Sequence, residues 1–173
     1  MILGGTGGSN TKTGLIFEGK VDLATFLSQQ RNYKIDKDSN VFYKGKYIAS
    51  IFKKNKFYDF LKNKGINWTN FISKRLLPDD SIYVIVNNTF FIIECKFQRV
   101  AGSVDEKLQT CDFKKKQYQK LLSHLNMEVE YIYLLSNWFR KKEYKDVLDY
   151  ILCVKCKYYF EYIPLQILGL PIP

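Results

Sequence analysis

Residues 78–98 carry the pattern that most restricts what this chain can fold into. Strands are expected at 81–87 and 89–98, joined through Asn87-Asn88 as a β-hairpin, since asparagine tolerates the backbone that tight turns require. The second run is apolar and aromatic on both faces, as a buried central strand should be. It then turns charged. Glu94 and Lys96 are two apart and share a face with Phe90 and Ile92, which marks a strand leaving the core for a cleft. Pro78-Asp79 stands where the first strand begins. In an antiparallel hairpin that start lies opposite the end of the second strand, so the spacing sets Asp79 beside Glu94 and Lys96. Asp80 follows directly, and either aspartate can serve.

Two carboxylates and a lysine at one hairpin end suit Mg²⁺ held against a phosphodiester. Mg²⁺ takes few carboxylates and keeps its other positions for water and phosphate oxygens. Asp79 and Glu94 fit that role, and the backbone carbonyl of Cys95 adds a further oxygen. Lys96 is placed to orient or deprotonate an attacking water, or to stabilise charge on the phosphate.

The coarse order along the 173 residues is that of one α/β domain with a central sheet flanked by helices. Residues 1–13 read as a Gly-, Ser-, Thr- and Asn-rich arm. Helical spacing is expected over 15–30, a strand pair over 41–52 turning at Lys44-Gly45-Lys46, and a short helix over 56–64. A strand ending near Leu77 is expected before the hairpin. Ser103 to Leu125 reads as one long helix with a capping box at Ser103 and Glu106. A strand at 129–135, a basic helix at about 141–152 and a strand at 157–162 follow, and the last residues form an apolar tail. The catalytic core is assigned to 15–135 and the C-terminal helix, strand and tail to 136–173.

Charge is uneven. The net charge is +10, and residues 44–75 hold nine basic residues against Asp59 alone, a field that attracts a polyanion. Lys12, Arg99, Lys107, Lys114, Lys115 and Lys116 are candidates to line a DNA cleft. His124 is the single histidine, which removes histidine-based nuclease, triad and most zinc chemistries. Cys153 and Cys156 form a lone CxxC with no second pair, too few ligands for zinc, and are expected partly buried on a helix. No apolar stretch reaches membrane-span length, and the four cysteines fit no secreted disulfide framework, so a reducing cytoplasm is expected.

The constellation Pro78-Asp79 … Glu94-Cys95-Lys96 resembles the PD-(D/E)XK nuclease superfamily, and within it small type II restriction endonucleases. The resemblance implies an α-β-β-β-α-β core, a Mg²⁺-dependent endonuclease cutting double-stranded DNA at a specific site, and Asp79 rather than Asp80 as the metal ligand; the alternatives are a nuclease of the same fold in repair, junction resolution or DNA mobility, or a non-catalytic nucleic-acid-binding relative. It implies a homodimer and a cognate DNA methyltransferase as functional partner. Glu18, an acid expected on the helix before the sheet, and Gln98, which extends the signature to Glu-x-Lys-x-Gln, become second-rank catalytic candidates. The segments Asn10–Gly14 and Gly102–Thr110 share in the likeness. Asn10, Lys12, Arg99, Ser103, Lys107 and Lys114 are the DNA-binding candidates.

Overall fold

The computed structural model describes residues 16–18, 23–53, 55–77, 81–97 and 104–173. The strands are β1 (Ile16–Glu18), β2 (Tyr33–Ile35), β3 (Asn40–Tyr43), β4 (Lys46–Lys53), β5 (Ser81–Val86), β6 (Thr89–Lys96), β7 (Glu128–Leu135), β8 (Lys157–Phe160) and β9 (Tyr162–Pro164). The helices are α1 (Leu23–Ser28), α2 (Lys56–Asn63), α3 (Val104–Leu108), α4 (Cys111–Leu122) and α5 (Lys145–Cys153).

Seven strands form one mixed sheet in the order β2-β3-β4-β5-β6-β7-β8. Pairing is antiparallel from β2 to β6 and parallel from β6 to β8. The two parallel steps are crossovers, one through α3 and α4 and the other through α5. Parallel neighbours need such long connections, and the connecting helix must lie on a face of the sheet.

β6 lies between β5 and β7 and is buried on both sides. Phe90 and Ile92 enter one core with Phe57, Tyr118, Leu121 and Ile151 from the helices. Phe91, Ile93 and Cys95 enter the other, covered by Leu23 and Leu27 of α1 and by Ile163, Leu165 and Leu168 near the C-terminus. The apolar tail is therefore a structural layer. The hydroxyls of Tyr33 and Tyr43 donate to the carbonyls of Pro171 (2.5 Å) and Ile172 (2.8 Å) and pin its end to the sheet edge.

The hairpin is as expected from Asn87-Asn88. Val86 pairs with Thr89, and both asparagines have positive φ, 48° and 61°, the geometry whose twist matches paired strands. The α/β class and the mixed sheet with flanking helices also match expectation.

Four expectations change. The span 15–30 is not one helix: 16–18 form a strand paired with β9, and only Leu23–Ser28 are helical. Long-range pairing overrides helical spacing there. Among the described residues no strand ends near Leu77, because β4 takes the place beside β5. The long helix breaks at Gln109-Thr110 into α3 and α4, where the Thr110 hydroxyl donates to the Lys107 carbonyl at 2.7 Å, a local bond that competes with helix continuation. Cys153 ends α5 exposed, while Cys156 lies beyond the helix and is buried. Ser103, the expected cap, lies outside the described residues.

Phe90 is fully buried and stacks on Phe57 at 4.7 Å. Phe90→Ala is expected to cost roughly 3–5 kcal/mol in urea unfolding. Phe113→Ser, at a site 61% exposed on α4, is expected to stay within about 0.5 kcal/mol of the parent.

Candidate active site

Burying a carboxylate is costly unless donors replace its lost water. Glu94 is 1% exposed and is, among the described residues, the one buried charged side chain. The fold supplies its donors from three elements. Lys96, two residues along β6, places Nζ 2.8 Å from Oε1. Lys114, on the first turn of α4, places Nζ 3.0 Å from Oε1 and 2.9 Å from Oε2. The buried hydroxyl of Tyr131, on β7, donates to Oε2.

Burial alone would raise the pKa of Glu94. The charge of Lys114 and the hydrogen bonds from Lys96, Tyr131 and Lys114 outweigh it and hold the carboxyl below its ordinary value. Tyr131 moves the opposite way: burial, then the neighbouring Glu94 charge, pushes its phenol well above the ordinary value, so it stays a donor. Next along the same face of β7, Tyr133 donates to the carbonyls of Lys107 (3.2 Å) and Leu108 (3.3 Å). The end of α3 is thus tied to the strand that supports Glu94.

Glu94 and Lys96 line a cleft of about 1040 Å³. Its lining includes Lys74, Arg75, Lys96, Lys107 and Lys114, with Glu94 as the acid among the described lining residues. The wall 72–77 is irregular but held. Tyr58 Oη donates to the Leu76 carbonyl and accepts from the Leu76 N–H at 2.8 Å. The Arg75 guanidinium lies 4.9 Å from the Tyr58 ring and 5.0 Å from that of Trp68.

The structure thus brings together Glu94, Lys96, Lys107 and Lys114. The side chain of Cys95 points to the opposite core, as strand alternation requires, which leaves its backbone carbonyl as the candidate donor. Ser81 pairs with Glu94, so the chain enters β5 beside the carboxylate. Asp79, Asp80, Gln98, Arg99, Asn10 and Lys12 lie outside the described residues, as does Ser103. Glu18 ends β1, paired in register with Tyr162, rather than standing on a helix. Lys115 and Lys116 turn elsewhere, to the Lys155 carbonyl at 2.6 Å and to Asp112 at 2.7 Å. His124 is exposed, with its ring 5.3 Å from Phe71.

Sequence reasoning missed Tyr131, Tyr133, Lys74 and Arg75 as parts of this site. The tyrosines had one signal: alternate positions of a buried strand carry hydroxyls, and buried hydroxyls need partners. For metal, Glu94 and the Cys95 carbonyl offer hard oxygens of the kind Mg²⁺ prefers. Among the described residues no three His, Cys, Asp or Glu side chains converge.

A mixed seven-stranded sheet with flanking helices, carrying a buried Glu94 and a half-buried Lys96 at a basic cleft, is an α/β architecture consistent with a nuclease fold. Residues 46–120, from β4 through most of α4, match the model of the PD-(D/E)XK nuclease superfamily domain. No curated protein and no solved structure matches the chain. No helix among the described residues is long and apolar enough to cross a membrane.

The depressed pKa of Glu94 sets an acid limit. Its contribution to stability is complete above the unfolded value, about 4.3, and is lost as pH falls through the folded value. Tyr131→Phe removes one of the bonds that lower it, so stability is expected to fall away at a higher pH than in the parent. Thermal unfolding followed across the acid range checks this; coincident acid limbs would show that Tyr131 does not hold the carboxylate.

Proposed function

We propose that the protein is a Mg²⁺-dependent endonuclease that hydrolyses phosphodiester bonds of double-stranded DNA, acting as a type II restriction enzyme at a specific site. The observation that carries this reading is an ionised, buried Glu94 with Lys96 at 2.8 Å, facing a cleft lined by Lys74, Arg75, Lys107 and Lys114. Such a cleft draws in a polyanion, and its lining carries the carboxylate and ammonium that phosphodiester hydrolysis needs.

In this reading Asp79, Glu94 and the Cys95 carbonyl hold the metal, with Glu18 and Gln98 as further candidates. The chemistry supplied by bound Mg²⁺ is neutralisation of phosphate charge and acidification of water. Tyr131 fixes the orientation of the Glu94 carboxylate, and burial excludes water from its inner side. Lys96 presents its ammonium to the attacking water or to the phosphate oxygens. Lys74, Arg75 and Lys107 bind backbone phosphates, and Asn10, Lys12, Arg99 and Ser103 extend the DNA contacts. One site cuts one strand, so symmetric cleavage of a duplex calls for a homodimer. A restriction role calls for a partner methyltransferase that protects the host sites.

With supercoiled plasmid and Mg²⁺, the parent protein is expected to give discrete fragments. Glu94→Ala and Lys96→Ala are each expected to slow cleavage by about 10²-fold or more. Undiminished cutting by Lys96→Ala would remove that lysine from the mechanism, and intact plasmid with the parent protein would remove the nuclease assignment. Binding to a short duplex should weaken steeply with salt, and Lys74→Ala is expected to lower the slope of log K against log salt by about 1.

A further inference from the structure

The carboxylate that should receive a metal is already full. A carboxylate offers about four lone-pair positions, and the two Glu94 oxygens accept from Lys96, twice from Lys114, and from Tyr131. A cation that binds there has to displace a donor, and the three donors differ in how freely they can leave. Tyr131 is fully buried beneath the sheet and stacks edge-on against Tyr133 at 5.4 Å, so withdrawing it would disrupt the core. Lys96 reaches Oε1 at 2.8 Å from the same strand as Glu94. Lys114 sits between both oxygens, at 3.0 and 2.9 Å. A divalent cation drawn to the carboxylate would compete with Lys114 for these same oxygens. Its side chain is 20% exposed, on the cleft side, and its flexible stem belongs to a different element from Glu94.

We propose that Lys114 is an exchangeable counter-ion. It neutralises Glu94 while the site lacks metal, and it transfers to a DNA phosphate in the cleft when a divalent cation takes the carboxylate. This rests on the nuclease reading and adds to it a coupling between two ligands. In the metal-free protein the carboxylate holds Lys114 away from DNA. With Glu94 engaged by metal, no other acid among the described lining residues competes for the ammonium, and phosphate becomes its nearest partner. Metal binding therefore tightens DNA binding, and by reciprocity DNA tightens metal binding by the same factor. The geometry also gives Lys114 a protective role: it keeps a buried carboxylate compensated during the interval before metal arrives.

The test measures affinities rather than cleavage. Mn²⁺ is titrated calorimetrically into the parent protein and into Lys114→Met, with and without a short phosphorothioate duplex that resists hydrolysis. In the parent the duplex is expected to tighten Mn²⁺ binding by about 5-fold or more, within the usual range of such couplings. In Lys114→Met, which keeps the stem and removes the competing charge, Mn²⁺ alone should bind tighter than to the parent, and the duplex should add little. A lysine serving only the fold predicts the opposite, unchanged or weaker Mn²⁺ binding with the coupling intact, and that result overturns the proposal. If Lys114→Met fails to fold, amine labelling of the parent decides by mass spectrometry. Labelling of Lys114 should rise on Mn²⁺ addition without DNA; no rise rejects the exchange. A parent protein that binds neither Mn²⁺ nor duplex overturns the nuclease reading and this inference together. One that binds both without coupling overturns only the exchange.

Discussion

Most of the site follows from keeping Glu94 charged inside the sheet. A lone carboxylate at 1% exposure would shed its charge by taking up a proton. Here it stays ionised because donors arrive from β6, α4 and β7. Each donor imposes a demand on the fold. Tyr131 requires β7 beside β6, and that parallel pairing requires a crossover. The crossover supplies α4, whose first turn brings Lys114 over the carboxylate. The carboxylate is thus the point at which sheet order, helix placement and charge meet.

The break between α3 and α4 has a similar logic. Thr110 caps the Lys107 carbonyl, and Tyr133 reaches the carbonyls of Lys107 and Leu108 from below. Groups left unpaired where a helix stops are costly when buried, and these two hydroxyls satisfy them. Lys107 and Lys114, on either side of the break, both line the cleft. The opposite wall, 72–77, has no regular pairing and depends instead on the Tyr58 hydroxyl and on the Arg75 guanidinium lying against both the Tyr58 and Trp68 rings, which meet edge-on. One side of the cleft is therefore built on the sheet and the other on an aromatic clamp.

What the sequence made legible was local. Asn87-Asn88 marked the hairpin, and two-residue alternation put Glu94 and Lys96 on one face with Phe90 and Ile92, because side-chain direction along a strand depends on neighbours in the chain. The Lys114–Glu94 and Tyr131–Glu94 contacts span 20 and 37 residues. They depend on how the crossover lands, which no short pattern encodes. The same cause explains 16–18, where helical spacing was real but pairing with β9, itself near the far end of the chain, decided the outcome. The strand expected near Leu77 failed for a related reason: β4, earlier in the chain, was already available as the antiparallel partner.

Charge density in the sequence was a partial guide for a geometric reason. Of the nine basic residues between 44 and 75, Lys74 and Arg75 line the main cleft. Lys56 and Lys64 border a separate groove with Asp38 and Asp59, and Lys62 flanks Trp68. Proximity in the chain thus does not equal proximity in the field. Beyond about 8–10 Å of saline, exposed charges are largely screened from one another, so the residues that set the potential over Glu94 are those within the cleft, whatever their position in the sequence. Among the described residues those are Lys74 and Arg75 from one wall, Lys107 and Lys114 from the crossover, and Lys96 from the strand itself. A polyanion drawn to the basic stretch as a whole would still be registered against the carboxylate by this smaller, converging set.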